Sequence, residues 1–355
     1  MKSRNLLLLV GAIILVVMLV VFNKQGNKSN EPSGANLVPI RVGWQISWVP
    51  QAQIAEVLKN TNILEQNGLS GELMRFNYGG PLAEAALADE LDVIFVGSGP
   101  ALSIISKNDN WRIVSIMEDY RNAIIVPPSS TATGLGDLRG KTIASPFGST
   151  PHLLASVYLD NAGLKGKEIN LKHIDVLEQN SIIQKGTSES WGDIHAITAW
   201  DPLLAQFEET NKARVLELMP DVGVIVMNKK FFEKNSKETS NFIRSVIEAY
   251  NYYLRNKDTA DKWYIDDTHV NFTQEVINKS LMIDRNSKIN NIEQAEFTLT
   301  ESDRNHIQIE ANKAFELAVL KKQVVVNDII DLTFLEEAEK QIRQGEYLKQ
   351  IEVRQ

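Results

Sequence analysis

Short apolar segments alternate with helical patterns along most of this chain, and this alternation constrains its fold more than any other feature. Residues 92–96 and 142–144 are almost continuously apolar, and each segment leads through a turn into a helical pattern. Strands that are buried on both faces have this composition, because neither face needs polar side chains. Repeated strand and helix units favour parallel strands that are covered by helices on both faces. We therefore predict an α/β fold with parallel-rich sheets.

A break rich in proline and serine at residues 127–131 separates two such α/β series. A chain of 355 residues is long enough for two lobes with separate cores. We place the two crossings between these lobes near residues 124–128 and 220–226. The predicted first lobe consists of residues 40–125 and 224–355, and the inserted second lobe of residues 126–223. Four strands are predicted around the crossings, at residues 111–117, 123–126, 215–218 and 222–227.

The N-terminal part contains an unbroken apolar run at residues 6–22. As a helix this run spans about 25 Å, close to the roughly 30 Å hydrocarbon core of a bilayer. We predict an uncleaved signal anchor at residues 1–23, because the run is longer than that of a signal peptide and no A-x-A cleavage site follows it. A removed signal peptide is the alternative. Lys2 and Arg4 favour a body on the extracytoplasmic side, periplasmic or at the cell surface, and residues 24–39 are predicted to be a flexible tether.

The charge and the cysteine count exclude several function classes. The net charge of −8 argues against nucleic acid or an anionic lipid surface as a partner. The sequence contains no cysteine, which excludes disulfides, thiol catalysis and cysteine-based metal sites. Its five histidines show no metal-binding spacing such as H-E-x-x-H, and no catalytic set is recognisable. We therefore predict no metal, no cofactor and no enzymatic activity.

Three turns of one form, at residues 79–81, 97–100 and 148–151, combine glycine with a following proline. Each turn lies between the carboxyl end of a predicted strand and the start of a helix, where open α/β sheets bind ligands. Ser149 or Thr150 can cap its helix, and free N–H groups and hydroxyls there can bind a carboxylate, sulfonate or phosphate. The alternative for each turn is that it only ends a strand and begins a helix.

Three further side chains have both a functional and a structural interpretation. Trp200 could pack against the apolar part of a ligand in a cleft or belong to the core. His152, in the first turn of a predicted helix, could donate to a bound anion or lie at the surface. Arg121 could offset the charge of an anionic ligand or form a surface ion pair. The next residue after Trp200, Asp201, is predicted to cap the helix that begins at Pro202.

Six short motifs follow one another along the chain, and their order indicates a protein family. They are Val42-Gly43-Trp44, Gly80-Pro81, Asp92-Val93 to Pro100, Asp137 to Ala144, Gly148 to His152, and Trp200-Asp201-Pro202. In this set the chain resembles the nitrate/sulfonate/taurine-type solute-binding proteins of ABC importers, which are relatives of the binding proteins for thiamine-pyrimidine precursors. The resemblance runs from about residue 41 to 218, and residues 135–163 are its most specific part.

This resemblance implies a type II periplasmic-binding-protein-like fold, with two lobes on a two-stranded hinge. It also implies a small, anionic organic solute clamped between the lobes and delivered to a membrane permease with an ATPase, by a monomer. The ligand-facing candidates that it supplies are Gln45, Ser98, Ser149, Thr150, His152 and Trp200, and Trp44, Gly99 and Arg121 complete the predicted set. A pyrimidine-precursor binding protein and a membrane-anchored ligand sensor are alternatives. A pyrimidine-synthesising enzyme is disfavoured, because the related enzyme has a cysteine-rich motif.

Overall fold

The computed structural model describes residues 37–164 and 166–354. The predicted signal anchor at residues 1–23 and most of the predicted tether lie outside these residues. Residues 38 and 39, predicted as the end of the tether, instead belong to the first strand. Within the described part, no helix combines the length and the apolar character that crossing a membrane requires.

The described residues form eight strands and thirteen α-helices. The strands are β1 (Val38–Gln45), β2 (Leu69–Phe76), β3 (Val93–Gly97), β4 (Trp111–Val126), β5 (Thr142–Ser145), β6 (Asn170–His173), β7 (Ala196–Trp200) and β8 (Arg214–Asn228). The first seven helices are α1 (Gln51–Asn60), α2 (Ile63–Gln66), α3 (Gly79–Leu87), α4 (Ser98–Lys107), α5 (Thr150–Asn161), α6 (Val176–Lys185) and α7 (Leu203–Glu209). The remaining helices are α8 (Lys229–Lys234), α9 (Ser236–Arg255), α10 (Lys257–Thr268), α11 (Gln274–Ser280), α12 (Glu301–Glu316) and α13 (Thr333–Arg343).

The strands form one mixed sheet in the order β2-β1-β3-β8-β4-β7-β5-β6. On one side β1 pairs in parallel with β2 and β3, and on the other side β5 pairs in parallel with β6 and β7. The two parallel blocks are joined by β4 and β8, which are antiparallel to each other. The predicted combination of parallel strands and covering helices is therefore present in both series.

The central strands β4 and β8 are each continuous, with 16 and 15 residues. Our prediction that each consists of two shorter strands is wrong. The polar stretch from Glu118 to Asn122 suggested a break, but the ladder continues through it, and Tyr120 pairs with Asp221. Glu118, Tyr120 and Asn122 are buried, and Asp119 and Arg121 pair with residues far along the chain, which a local pattern does not reveal. The proposed lobe boundaries fall within these strands and stay a prediction.

Both faces of the sheet are buried, as the apolar composition of β3 predicts. Val93 and Phe95 belong to one apolar cluster and Ile94 and Val96 to another, so successive side chains point to opposite cores. All five residues of β3 are buried. A strand with two buried faces stabilises the sheet through both cores, each buried branched side chain contributing about 1.5–3 kcal/mol.

The start of α5 is built as the sequence predicts. The Ser149 hydroxyl accepts a hydrogen bond from the His152 N–H at 3.4 Å and so caps the helix, with Pro151 in its first turn. Beyond the end of the helix, Gly163 adopts a φ of +78°, in the left-handed region that favours glycine. This cap fixes the direction of the turn that precedes α5.

Candidate ligand-binding cleft

The three predicted turns meet in the structure. A Cβ atom on Gly80 would lie 2.9 Å from the carbonyl oxygen of Phe147, and one on Gly148 would lie 3.2 Å from the Gly80 Cα. A Cβ atom on Gly99 would lie 2.8 Å from the Thr150 Cα. Glycine is therefore needed where the turn of α5 approaches the turns of α3 and α4. The starts of these three helices converge on one place.

A small cavity lies between the turn at residues 97–100 and the turn at residues 148–151. Its volume of about 10 Å³ is close to the least that one water molecule needs. An organic solute does not fit, so binding requires the turns to move apart and close again over the ligand. The lining residues are Gln45, Trp48, Gly97, Pro100, Tyr120, Ser149, Thr150, Pro151 and Trp200.

Four of the predicted ligand-binding residues line this cavity, and their polar groups are already held by the protein. The Gln45 amide donates to the Phe95 carbonyl at 3.2 Å, and the Trp200 indole N–H donates to the Ser47 carbonyl at 2.9 Å. The Ser149 hydroxyl donates to a backbone carbonyl at 2.6 Å, and Thr150 Oγ1 accepts from the backbone N–H of Gly99 at 3.3 Å. These bonds fix the side chains in place around the cavity.

Two aromatic residues of the lining were not predicted as site residues. The rings of Trp48 and Tyr120 lie 4.6 Å apart and form one wall. Trp48 follows the carboxyl end of β1, and the glycine turns were selected because they follow strands in the same way. The same criterion could therefore have identified Trp48 from the sequence. Tyr120 lies in the polar stretch that suggested a break between strands, and no local signal indicated it.

Arg121 lies beside the cavity but makes ion pairs with the protein. Its guanidinium contacts both carboxylate oxygens of Asp201, at 2.7 and 2.8 Å, and Glu208 at 2.9 Å. Burial raises the pKa of Asp201 to about 6, although Arg121 opposes this shift. Asp201 also accepts from the backbone N–H of Ala205 at 3.1 Å, in the first turn of α7, although this helix begins at Leu203 and not at Pro202 as predicted. This geometry agrees with the alternative that Arg121 forms an ion pair with the protein. The pair is largely buried, whereas a surface ion pair was predicted.

His152 lies in the first turn of α5, as predicted, and its ring stacks on Phe147 with centroids 4.5 Å apart. Burial and the neighbouring His173 lower the pKa of His152 to about 4, so the ring is neutral at pH 7. Its Nδ1 faces the backbone N–H of Gly148 at 3.5 Å, which leaves Nε2 to carry the proton. A neutral donor is thus available beside the turn.

The other predicted ligand-binding residues lie behind the cavity wall. Trp44 is buried in the core, and Gly99 contacts Thr150. The Ser98 hydroxyl is fully buried and contacts Asp221 at 2.6 Å and Glu310 at 2.8 Å. Direct ligand contacts by these residues stay predictions.

Several buried carboxyl groups have raised pKa values. Burial raises the pKa of Asp284 to about 7 and that of Glu56 to about 7. Burial also raises the pKa of Glu310 to about 7, and the neighbouring carboxylates of Asp221 and Glu310 raise the pKa of His306 to about 10. The folded state therefore holds these protons more tightly than the unfolded chain does.

We expect the melting temperature to fall by at least about 5 °C between pH 5 and pH 8. A carboxyl group with a raised pKa in the folded state contributes stability that is lost as the pH rises from its unfolded pKa towards its folded pKa. For Asp284, Glu56 and Glu310 this loss is complete above about pH 7. His306 adds a loss in the same direction as the pH rises through 10.

Calorimetric melting at four pH values checks this expectation. The variant Asp284→Asn keeps an oxygen for its contacts with Asn286 and Tyr250 but removes the titrating group, so it should flatten part of the decline. A melting temperature that rises from pH 5 to pH 8 would contradict the expectation.

Residues 74–185 match a family described as "ABC transporter, phosphonate, periplasmic substrate-binding protein". A Bacillus subtilis relative, assigned as an aliphatic sulfonates-binding protein, is 23% identical over 334 residues, 92% of this chain and 96% of the relative. The taurine-binding periplasmic protein of Escherichia coli is 25% identical over 232 residues, 63% of this chain and 69% of the relative. Along most of its length the chain is thus similar to the solute-binding proteins of ABC importers. The role predicted from the resemblance is thereby confirmed.

Solved structures with the same fold include other solute-binding proteins and one enzyme. The alkanesulfonate-binding protein SsuA from Xanthomonas axonopodis, bound to MOPS, superposes with a TM-score of 0.67 at 18% identity, over 84% of this chain and 99% of that protein. The desulfurization enzyme DszB has a TM-score of 0.60 at 13% identity, over 86% of this chain and 100% of the enzyme. These likenesses confirm the predicted periplasmic-binding-protein-like fold, which is shared by binding proteins and an enzyme.

Proposed function

We propose that this solute-binding protein captures a small organic sulfonate between the three converging turns and delivers it to a permease with an ATPase. The observation that carries the proposal is the meeting of the starts of α4 and α5 at one cavity, with the start of α3 packed against the turn of α5. The relatives support the sulfonate class, because they are assigned to aliphatic sulfonates and to taurine, and SsuA is bound to MOPS.

The chemistry of the cavity wall suits a monoanion with an apolar part. None of its lining residues carries a charged side chain. The anionic group would therefore be bound by backbone N–H groups and hydroxyls at the starts of α4 and α5, where the helix dipoles favour negative charge. The rings of Trp48, Tyr120 and Trp200 offer contact area for the organic part.

The direct contacts that we propose come from Gln45, Ser149, Thr150 and Trp200. Because the present cavity is too small for a solute, a hinge motion would first separate these residues from the turn at Gly97. His152 would offer its Nε2 proton from the rim. Trp44, Ser98 and Gly99 would support the wall.

Calorimetry with the chain from Glu31 onward, which keeps the whole compact unit that begins at Val38, tests the proposal. Taurine, butanesulfonate and MOPS are titrated beside nitrate, bicarbonate and a pyrimidine. We expect one site with a Kd in the micromolar range for at least one sulfonate, and weaker binding of its carboxylate analogue. No heat from any anion would contradict the anionic class, and heat from the pyrimidine alone would support the pyrimidine-precursor alternative.

We further propose that the protein binds its solute without converting it. Binding has to be distinguished from catalysis because the enzyme DszB has the same fold. The absence of cysteine excludes thiol chemistry, and the cavity lining contains no acid and base pair. Mass spectrometry of the sulfonate after long incubation should recover it unchanged, and a product whose formation depends on Ser149 would overturn this proposal.

The location and state of assembly are also proposals. Residues 1–23 would anchor a monomer to the outer face of the cytoplasmic membrane, because their apolar run is long enough to span a bilayer. Fractionation should place the full chain in the membrane and the chain from Glu31 onward in the soluble fraction, where light scattering gives its mass. Release of the full chain into the soluble fraction would favour a cleaved signal peptide.

A further inference from the structure

Three ligand-type side chains converge behind the cleft, on the far side of Ser98. Asp221 lies on β8, and His306 and Glu310 lie one turn apart on α12. The His306 Nε2 is 2.9 Å from Glu310 Oε1 and 3.3 Å from Asp221 Oδ1. One nitrogen and two oxygens thus face a common point, and all three atoms lie within 4.8 Å of one another.

These three atoms have no aligned hydrogen bond although they are buried. Asp221 Oδ1, Glu310 Oε1 and His306 Nε2 are each shielded from water and without a hydrogen-bond partner of acceptable geometry. The residues Asp221 and Glu310 are 4% and 3% exposed. The ion pairs of His306 with the two carboxylates compensate their burial by charge and not by aligned hydrogen bonds.

The other oxygen of each carboxylate is held in place. The Ser98 hydroxyl contacts Asp221 Oδ2 at 2.6 Å and Glu310 Oε2 at 2.8 Å, and the Tyr120 hydroxyl contacts Asp221 Oδ2 at 3.3 Å. Side chains that bind metals are commonly oriented in this way by a second layer of hydrogen bonds. The free oxygens of both carboxylates are therefore directed at the same point as the imidazole.

An open cavity borders two of the three residues. An open cavity of about 570 Å³ is lined by Asp221 and His306 together with Tyr158, Ser302 and Asp303. It is wide enough for a hydrated cation to approach and for water to complete the coordination. Its neighbours Asp119 and Asp303 pair with Arg285, so they do not add uncompensated charge to the site.

We propose that Asp221, His306 and Glu310 bind a divalent transition-metal cation, and that Zn²⁺ fits this set best. Zn²⁺ binds nitrogen and carboxylate oxygen at about 2.0–2.2 Å, which places neighbouring ligand atoms of a tetrahedral site about 3.3–3.6 Å apart. The separations of Glu310 Oε1 and Asp221 Oδ1 from His306 Nε2, 2.9 and 3.3 Å, are close to this range. One imidazole and two carboxylates leave the fourth position for water. The cation would take the place of the proton that His306 holds between the two carboxylates in the metal-free protein.

Only two of the three proposed metal ligands have a recognisable spacing in the sequence. His306 and Glu310 are four residues apart on one helix face, but Asp221 comes from a distant strand, so a search for local metal spacing misses the set. The site would join α12 to the middle of the sheet and to the start of α4. None of its three ligands lines the cleft cavity, so Zn²⁺ binding can be measured without a sulfonate.

Titration of the chain from Glu31 onward with ZnCl₂, without any sulfonate, tests the proposal by calorimetry. We expect one Zn²⁺ per chain with a Kd below about 10 μM, and Co²⁺ should give the visible absorption bands of a low-symmetry, four-coordinate site. His306→Gln and Glu310→Gln should each weaken Zn²⁺ binding at least about tenfold. His269→Gln is the matched control, because His269 is exposed and far along the chain from the site.

Circular dichroism and melting of each variant show whether it is folded. Zn²⁺ should raise the melting temperatures of the unchanged chain and of His269→Gln. It should raise the melting temperature of Glu310→Gln, which keeps the shape of the side chain, much less. The proposal is overturned if no Zn²⁺ binds at 100 μM, or if the folded Glu310→Gln variant binds Zn²⁺ as tightly as the unchanged chain. Equal binding by His306→Gln would likewise place the metal elsewhere.

Discussion

Replacing Gly99 with valine should weaken sulfonate binding about 10- to 100-fold and leave the melting temperature nearly unchanged. The new Cβ would lie 2.8 Å from the Thr150 Cα, a backbone atom that cannot turn aside as a flexible side chain can. This clash exists only when the starts of α4 and α5 are together, so it penalises the closed form and spares the open one. Overpacking of this kind costs about 1–3 kcal/mol, which corresponds to the expected loss of affinity.

The control for this substitution is Gly136→Val. A Cβ atom on Gly136 has no neighbour within 4 Å, so the same chemical change meets open space. Calorimetry gives the two affinities, and small-angle scattering should show a larger radius of gyration for Gly99→Val than for the control. Full affinity in Gly99→Val, or an equal loss in Gly136→Val, would show that closure of these turns does not determine binding.

Replacing Arg121 with methionine should lower the free energy of unfolding by about 3–5 kcal/mol. Arg121 makes two contacts with Asp201 and one with Glu208, and the Asp201 side chain has no exposed surface. Loss of the guanidinium leaves a buried carboxylate without a counter-charge. Urea unfolding measures the effect. The affinity of the folded variant for a sulfonate should change by less than about threefold, because Arg121 does not line the cavity.

Two comparisons separate this structural role from a ligand-binding role. Arg139→Met removes an ion pair with Glu168 whose side chains are 53% and 43% exposed, and should cost less than about 1 kcal/mol. The double variant Arg121→Met, Asp201→Asn should recover part of the lost stability, because it no longer buries an unpaired charge. If Arg121→Met kept its stability but lost affinity, the ligand-charge interpretation of Arg121 would hold instead.

Features determined by neighbouring residues could be predicted from the sequence. The buried strand β3, the Ser149 cap and the left-handed Gly163 all follow from residues within one turn or one strand. The meeting of the turns that follow β2 and β3 could also be anticipated, because the carboxyl ends of parallel strands share an edge of a sheet. The turn after β5 reaches them from the opposite direction, because β5 is antiparallel to β3.

Features that depend on distant pairing could not be predicted. The polar run from Glu118 to Asn122 resembles a loop until its partners are known, among them Asp201 for Arg121 and Asp221 for Tyr120. For the same reason the sequence did not predict that Asp221, His306 and Glu310 lie together, since β8 and α12 meet only in the folded chain. A charged residue in a sequence usually indicates an exposed position, but a charged residue that pairs with a distant partner can be buried.

The central strand pair has a consequence for how the protein is made. Val93 pairs with Met227 and Trp111 with Asn228, so the middle of the sheet joins the early part of the chain to a segment that is synthesised much later. Contacts of such high sequence separation form slowly, because a long loop must close before they gain any energy. Until residue 228 has been synthesised, the chain lacks its central ladder and cannot complete its fold.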